Sequence, residues 1–167
     1  MSDRFLCVLA GYDNNTEDHL CALQRSLYDT GFSGMQTKGI PMHFTIGYAD
    51  RAAEDDLIAQ LKRIASQTSS FDVTFNHIGI FGGGRVLFIA PDVSHAMLDL
   101  KEAFGGSDNW TAHTTMLIDE PDTIRAALPI LTDGFSAFRG RVTQLHLYEF
   151  QPPRHILTVQ LEGAQTC

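Results

Sequence analysis

The sequence predicts an α+β fold in which two similar lobes, each an antiparallel sheet with helices, face each other across a central cleft. The order strand, helix, strand, helix, strand occurs twice, once on each side of a run of three glycines. In each half, the strand after the first helix carries a His-x-Thr tripeptide, beginning at His43 and at His113. We therefore expect one bilobal domain over residues 1–167, with pseudo-symmetric halves at about 1–82 and 85–163.

The individual elements follow from hydrophobic periodicity. Alternating or continuous apolar runs predict strands, and apolar residues three or four positions apart predict helices. In chain order the predictions are strand 5–10, helix 16–27 capped by Asn15 or Thr16, strand 42–48, helix 54–64, strands 71–81 and 86–90, helix 94–104, loop 105–109, strand 110–118, helix 123–131 interrupted near Pro129, and strands 139–150 and 155–161. The three glycines lie between two strands, so they predict a hairpin turn and not a phosphate-binding loop.

Composition indicates a globular protein of the cytoplasm. Hydrophobic residues make up 44% of the chain, and no segment is of low complexity. The opening apolar stretch, 5–10, is too short for a membrane span or for the core of a signal peptide. The three cysteines, Cys7, Cys21 and Cys167, lack the spacing of a metal site and favour a reducing compartment. We expect a monomer without a metal, a cofactor or contact with a membrane.

The charge restricts the partners that the protein can have. The formal net charge is −8, and the 12 lysines and arginines are scattered along the chain. Proteins that track along nucleic acid usually present a basic surface that neutralises phosphates. Tracking along long nucleic acid is therefore disfavoured, whereas a local pocket for a small nucleotide stays compatible with the charge.

The two tripeptides could together cleave a phosphodiester. Residues two apart on a strand share a face, so His43 lies beside Thr45 and His113 beside Thr115. If the lobes face each other, one imidazole can take a proton from water while the other gives a proton to the leaving oxygen. The threonine hydroxyls can hold the phosphate oxygens, and the scheme needs no metal. The alternative is that both are ordinary strand histidines with satisfied hydrogen bonds.

The chain resembles the two-histidine (2H) phosphoesterases, which include RNA 2′,3′-cyclic phosphodiesterases and the proteins called 2′-5′ RNA ligases. The matching stretches are 5–10, 42–48, 73–81, 86–91 and 112–117. The resemblance implies that His43 and His113 are the acid and the base, in either order, and that Thr45 and Thr115 bind the phosphate. It further implies hydrolysis of a cyclic phosphodiester in a small nucleotide, a cyclic oligonucleotide or an RNA end.

Two further residues match the family, and two differ from it. Tyr48 stands where an aromatic residue often follows the first motif, and Phe81 where one commonly packs near the base or ribose. Many relatives have proline at the position of Ala112, and some RNA-processing members have arginine at the position of Ile118. The missing positive charge argues against an RNA end as the substrate without affecting the core chemistry.

Several other side chains are candidates for contact with the substrate. Tyr12 and Tyr148 could stack on a base, or they could be aromatics of the core or the rim. Arg85 and Lys38 could reach a phosphate, or they could be ordinary surface cations. A module that binds nucleotides or RNA ends without turnover is an alternative to the hydrolase, and so is 2′-5′ ligation, the reverse reaction.

Overall fold

The structure is a computed structural model that describes residues 4–106 and 109–163. Part of the predicted loop 105–109 and the whole of Cys167 lie outside these ranges. The elements are β1 (Phe5–Tyr12), α1 (Asn14–Asp29), β2 (His43–Asp50), a 3-10 turn (Arg51–Ala53), α2 (Glu54–Gln67), β3 (Phe71–Ile80), β4 (Val86–Pro91), α3 (His95–Ala103), β5 (Thr114–Ile118), α4 (Pro121–Gly134), β6 (Phe138–Phe150) and β7 (Arg154–Gln160).

The strands form one antiparallel sheet with an approximate two-fold repeat. Its order is β2-β1-β6-β3-β4-β5, with β7 paired to the outer part of β6. The strands β1, β2 and β3 correspond to β4, β5 and β6. Exchanging each strand with its counterpart gives the same strand order read backwards. The helices follow the same rule, since α1 and α3 each connect the first two strands of their unit. The predicted α+β fold, with its repeated order of elements, is confirmed.

The two units exchange strands at the centre of the sheet. β3, from the first unit, pairs with β4 of the second, while β6 of the second unit pairs with β1 of the first. β6 is long enough to join both parts: its residues 138–142 pair with β3, and its residues 142–150 pair with β1. The sheet is therefore continuous through β6, and each His-x-Thr strand lies at one of its two ends.

The helices bury one apolar face each. In α1, Leu20, Leu23 and Leu27 are buried, and the helix packs against α4. Burial of each such leucine contributes about 1.5–3 kcal/mol. The helix begins earlier than predicted, because the side chain of Asp13, and not of Asn15 or Thr16, accepts a hydrogen bond from the Thr16 backbone N–H. Among the described residues, no helix has both the length and the apolar character that crossing a membrane requires.

Two further predictions about the elements are wrong. The strand predicted at 110–118 begins only at Thr114, because Trp110 turns towards β2 and donates its indole N–H to the carbonyl oxygen of Thr45 at 2.9 Å. The helix predicted to break near Pro129 continues to its end at Gly134. Pro129 lies on the exposed side of α4, where water can satisfy the carbonyl that loses its hydrogen-bond donor.

The two ends of the curved sheet are tied together by side chains. The hydroxyl of Tyr12, on β1, lies 2.7 Å from the hydroxyl of Thr114, on β5, and both side chains are buried. The bond from Trp110 to Thr45 makes a second link, from the segment before β5 to β2. These contacts hold β2 and β5 close together although they are the terminal strands in the sheet order.

Replacing Tyr12 by phenylalanine is expected to destabilise the fold. The change Tyr12→Phe leaves the buried Thr114 hydroxyl without its partner and should lower the free energy of unfolding by about 1–3 kcal/mol. Urea denaturation measures this value, and Tyr48→Phe, at an exposed tyrosine, is the matched control. The double change Tyr12→Phe with Thr114→Val should cost less than the sum of the single changes, because no unpaired hydroxyl remains. Strict additivity would show that the two hydroxyls are not coupled.

Candidate active site

His43 is fixed at the first residue of β2 by its own backbone. Its Nδ1 lies 2.6 Å from the carbonyl oxygen of Pro41, two residues earlier. The loop before the strand is itself held, because the Met42 backbone N–H donates to the carboxylate of Glu17 at 2.9 Å. His43 and Thr45 share one face of the strand, and both are half-buried, whereas Phe44 points into the core.

His113 has the same arrangement at the other end of the sheet. It directly precedes β5, and its Nδ1 lies 2.8 Å from the carbonyl oxygen of Thr111, again two residues earlier. Thr114 points inwards to Tyr12, so Thr115 lies on the outward face together with His113. The predicted pairing of each histidine with its threonine on one face therefore agrees with the backbone at both motifs.

These hydrogen bonds determine which ring nitrogen is available. A carbonyl oxygen only accepts, so Nδ1 of His43 and of His113 must carry the hydrogen in each bond. In a neutral imidazole Nε2 is then an unprotonated acceptor, and in an imidazolium it is a donor. Each histidine therefore presents the nitrogen that can exchange a proton with a bound molecule.

The surroundings of the two imidazoles differ. Burial, together with the nearby positive charge of His113, holds the pKa of His43 below its ordinary value, although the bond to Pro41 opposes this effect. His113 instead lies against two aromatic rings. The ring centroid of Phe81 is 4.6 Å away with the planes at 88°, and that of Phe88 is 5.4 Å away. Burial thus lowers the pKa of the first histidine, whereas the second is packed against two aromatic rings.

A cavity of about 350 Å³ opens beside His43 and Thr115. The other residues that line it are Gln24, Tyr28, Gln36, Thr37, Lys38, Gly39, Ile40, Pro41, Met42, Thr114, Ile118 and Phe150. The loop that precedes β2 forms one wall. It is attached to β5 by Gln36, whose side-chain oxygen accepts the Ile118 backbone N–H at 3.0 Å. The cavity therefore touches His43 of the first motif and Thr115 of the second, whereas Thr45 and His113 are not among the residues that line it.

The comparison with known proteins identifies this arrangement. The sequence model of the 2′-5′ RNA ligase superfamily matches residues 15–153, which include both tripeptides. This chain belongs to the 2′-5′ RNA ligase superfamily. The predicted resemblance to the 2H phosphoesterases is thereby confirmed.

Solved structures of the superfamily's fold agree over nearly the whole chain. The Thermus thermophilus protein TT0787 superposes with a TM-score of 0.67 at 15% identity, covering 96% of this chain and 100% of its own. E. coli LigT in complex with 3′-AMP gives a TM-score of 0.62 at 13% identity, with 95% and 98% covered. A further phosphoesterase gives 0.62 at 15% identity, with 95% and 98% covered. No curated protein matches the sequence.

The remaining predicted site residues of this superfamily member lie in different environments. Tyr48 is 71% exposed, its ring centroid lies 6.1 Å from that of Phe5, and its role stays a prediction. Arg85, which directly precedes β4, pairs with the carboxylate of Glu120. The stacking role predicted for Tyr12 is wrong, because its side chain is 1% exposed and bonded to Thr114.

Tyr148 is also mostly covered. It is 8% exposed and belongs to a small apolar cluster with Cys7 and Leu9 on the same face of the sheet as His43. Its ring contacts Phe150 and His155, with centroids 6.2 Å and 5.2 Å away. Such a ring supports the floor of the cleft, and a direct contact with a base stays a prediction.

The sequence did not single out three residues that shape the site. Phe88 packs on His113, Trp110 ties the second motif to Thr45, and His146 lies near His43. A prediction of which strands pair, and in which register, could have found Phe88, since it lies opposite Thr115 in the sheet. Trp110 and His146 are brought to the site by tertiary packing, for which the sequence offers no signal. The described residues contain no group of three or more His, Cys, Asp or Glu side chains that could hold a metal.

Stability is expected to fall as the pH is lowered from about 6.5 towards 4. Burial, and then the charges of His43 and His155, lower the pKa of His146 from 6.5 to about 4. Between these pH values His146 becomes protonated in the unfolded chain but stays neutral in the folded protein. The free energy of unfolding that is present above pH 6.5 is therefore lost on acidification, by at most about 3 kcal/mol. Urea unfolding at several pH values measures the loss, which His146→Phe should reduce and His95→Phe should not. Equal slopes in all three proteins would contradict the assignment.

Proposed function

We propose that this chain hydrolyses a cyclic phosphodiester in a nucleotide, without a metal, using His43 and His113 as the acid–base pair. The observation that carries the proposal is the matched pair of bonds from each Nδ1–H to a backbone carbonyl. They leave two Nε2 atoms available for proton transfer at equivalent positions of a two-fold fold. Residues 1–82 and 85–163 are the halves of this catalytic domain, each supplying one histidine and one threonine.

The unequal environments support a division of roles. His43, whose pKa is lowered by burial, stays neutral and acts as the base, and His113 acts as the acid. Water attacks phosphorus while Nε2 of His43 takes one of its protons. The bond from phosphorus to one ribose oxygen breaks, and Nε2 of His113 gives its proton to that oxygen. The product is an acyclic phosphate ester, and the hydroxyls of Thr45 and Thr115 stabilise the charge on the phosphate oxygens.

Charge and size favour a small substrate over a long RNA. The cavity of about 350 Å³ has one cationic residue in its lining, Lys38, whose Nζ lies 3.2 Å from the Tyr28 hydroxyl. A singly charged cyclic nucleotide needs few cations, whereas an RNA chain needs a basic track. Structures of E. coli LigT with 3′-AMP and with ATP further support a nucleotide as the class of ligand.

The first experiment compares hydrolysis of 2′,3′-cyclic nucleotides, short RNAs with cyclic ends and cyclic oligonucleotides. The wild type should act best on a cyclic mononucleotide, and His43→Ala and His113→Ala should each lose at least about 100-fold in rate, because each removes a proton-transfer group. His95→Ala, at an exposed histidine of α3, is the matched control and should keep full activity. Calorimetry with a nucleotide monophosphate should show that both inactive variants still bind.

Three outcomes would contradict this proposal. Tight nucleotide binding without turnover would instead support the binding module, and joined RNA products would support 2′-5′ ligation. Activity that survives both histidine changes would remove the acid–base pair from the mechanism.

The pH profile provides an independent test. The rate should form a bell, because His43 must be neutral and His113 protonated at the same time. The midpoint of the acid limb should lie at a pH below the ordinary pKa range of histidine, since burial lowers the pKa of His43. Dialysis against a chelator should leave the rate unchanged. Inhibition by the chelator with recovery on adding zinc would overturn the metal-independent mechanism.

A further inference from the structure

A third histidine, His146, lies next to the first motif. It is on β6 and pairs with Leu9 of β1, which in turn pairs with Thr45 of β2, so the three side chains lie in one row across the sheet. Its ring leans over Gly11, where a Cβ atom would overlap Nε2 and lie 2.9 Å from Cδ2. Gly11 is the strand partner of His43. The missing side chain of Gly11 therefore lets the imidazole of His146 approach His43.

The side chain of His146 has one satisfied and one unsatisfied nitrogen. It is 4% exposed, and its Nδ1 lies 2.8 Å from the hydroxyl oxygen of Thr158 on β7. Its Nε2 is buried and has no hydrogen-bond partner among the described residues. A buried polar atom without a partner is rare in proteins and often marks a functional position. Here the unpartnered atom is the one on the side of Gly11 and His43.

The hydroxyl of Thr158 connects this buried ring to the surface. Nε2 of the exposed His155 also lies 2.8 Å from Oγ1 of Thr158. The hydroxyl has one proton, so it can donate to only one of the two imidazoles. When Nε2 of His155 carries a hydrogen it donates to Oγ1, which leaves the hydroxyl proton for Nδ1 of His146. A neutral His146 that accepts at Nδ1 carries its own hydrogen on Nε2.

In the second unit, the position equivalent to His146 is a glycine, Gly79. Thr115 of β5 pairs with Phe88 of β4, which in turn pairs with Gly79 of β3. A Cβ on Gly79 would overlap the Phe88 ring, so an aromatic ring fills the space where the other unit has His146. The two-fold symmetry of the backbone is thus broken at this place, and His43 is the motif histidine that has His146 beside it.

We propose that His146, held by Thr158 and His155, is a positioning residue that presents an N–H group to His43 and keeps His43 uncharged for its role as the base. The inference rests on the proposed function, because it takes His43 as the base. The positive end of the N–H dipole disfavours an imidazolium beside it. The titratable groups around His146 are His43, His155 and Tyr148, and the second imidazole near His43 is His113. His146 itself stays neutral, since burial lowers its pKa to about 4.

NMR titration of the histidine rings tests this role without any substrate. Long-range ¹H–¹⁵N spectra at neutral pH should place the proton of His146 on Nε2. The variant His146→Phe keeps a ring over Gly11 but has no N–H, so His43 should titrate about half a unit higher. That shift corresponds to about threefold lower activity on the acid limb of the rate profile, with the alkaline side and KM unchanged. His95→Phe should leave the titration of His43 unchanged.

The variant Thr158→Val removes the hydroxyl and keeps the shape of the side chain. It should mix the two tautomers of His146 and raise the pKa of His43 by a smaller amount than His146→Phe does. This result supports the proposal even if His146→Phe does not fold. A proton found on Nδ1 of His146 in the wild type would overturn the proposal. An unchanged titration of His43 in Thr158→Val would overturn it as well. Because no substrate is present, these results decide the role of His146 whether or not the chain hydrolyses any cyclic diester.

Discussion

Two hydrogen bonds close the curved sheet, and the site depends on both. The Tyr12 hydroxyl meets that of Thr114, and the Trp110 indole N–H meets the carbonyl of Thr45. β2 and β5 are the terminal strands of the sheet order, and within the described residues no ladder of backbone hydrogen bonds joins them directly. Hydrogen bonds between largely buried groups are directional and costly to break, so they fix the distance and register between two strands that share no pairing. His43 begins β2 and His113 directly precedes β5, so these two bonds contribute to the relative position of the two histidines.

The two-fold fold supplies similar histidines, and the surroundings make them different. The main chain gives His43 and His113 the same orientation through a carbonyl two residues earlier. The neighbouring strands then differ, since one unit places His146 beside its motif and the other places Phe88 there. Proton transfer in two directions requires one neutral and one protonated imidazole, which identical environments would not favour. In the mechanism that we propose, the two-fold symmetry therefore provides the geometry, and its local breakdown distinguishes the base from the acid.

The repeated order of elements, and hence the fold class, could be predicted because apolar periodicity is a local property that each segment carries by itself. The same is true of the His-x-Thr pairs, since alternation on a strand needs no knowledge of the partner strand. The role of Tyr12 could not be predicted, because only the closure of the sheet brings Thr114 to its hydroxyl. The true start of β5 depends on Trp110 bonding to a distant strand. The place of His146 depends on Gly11, a residue 135 positions earlier in the chain.

A backbone carbonyl as the partner of each Nδ1 suits the anionic substrate that we propose. Many histidine sites orient the ring with a carboxylate, which adds a full negative charge and raises the pKa of the imidazole. The carbonyls of Pro41 and Thr111 orient His43 and His113 with a dipole alone. A carboxylate in the same place would repel the phosphate at short range, in a protein whose net charge is already −8. It would also favour the charged form of His43 and so oppose the role of base that we propose for it. Orientation by the main chain avoids both costs, and it lets the burial of His43 determine its protonation state.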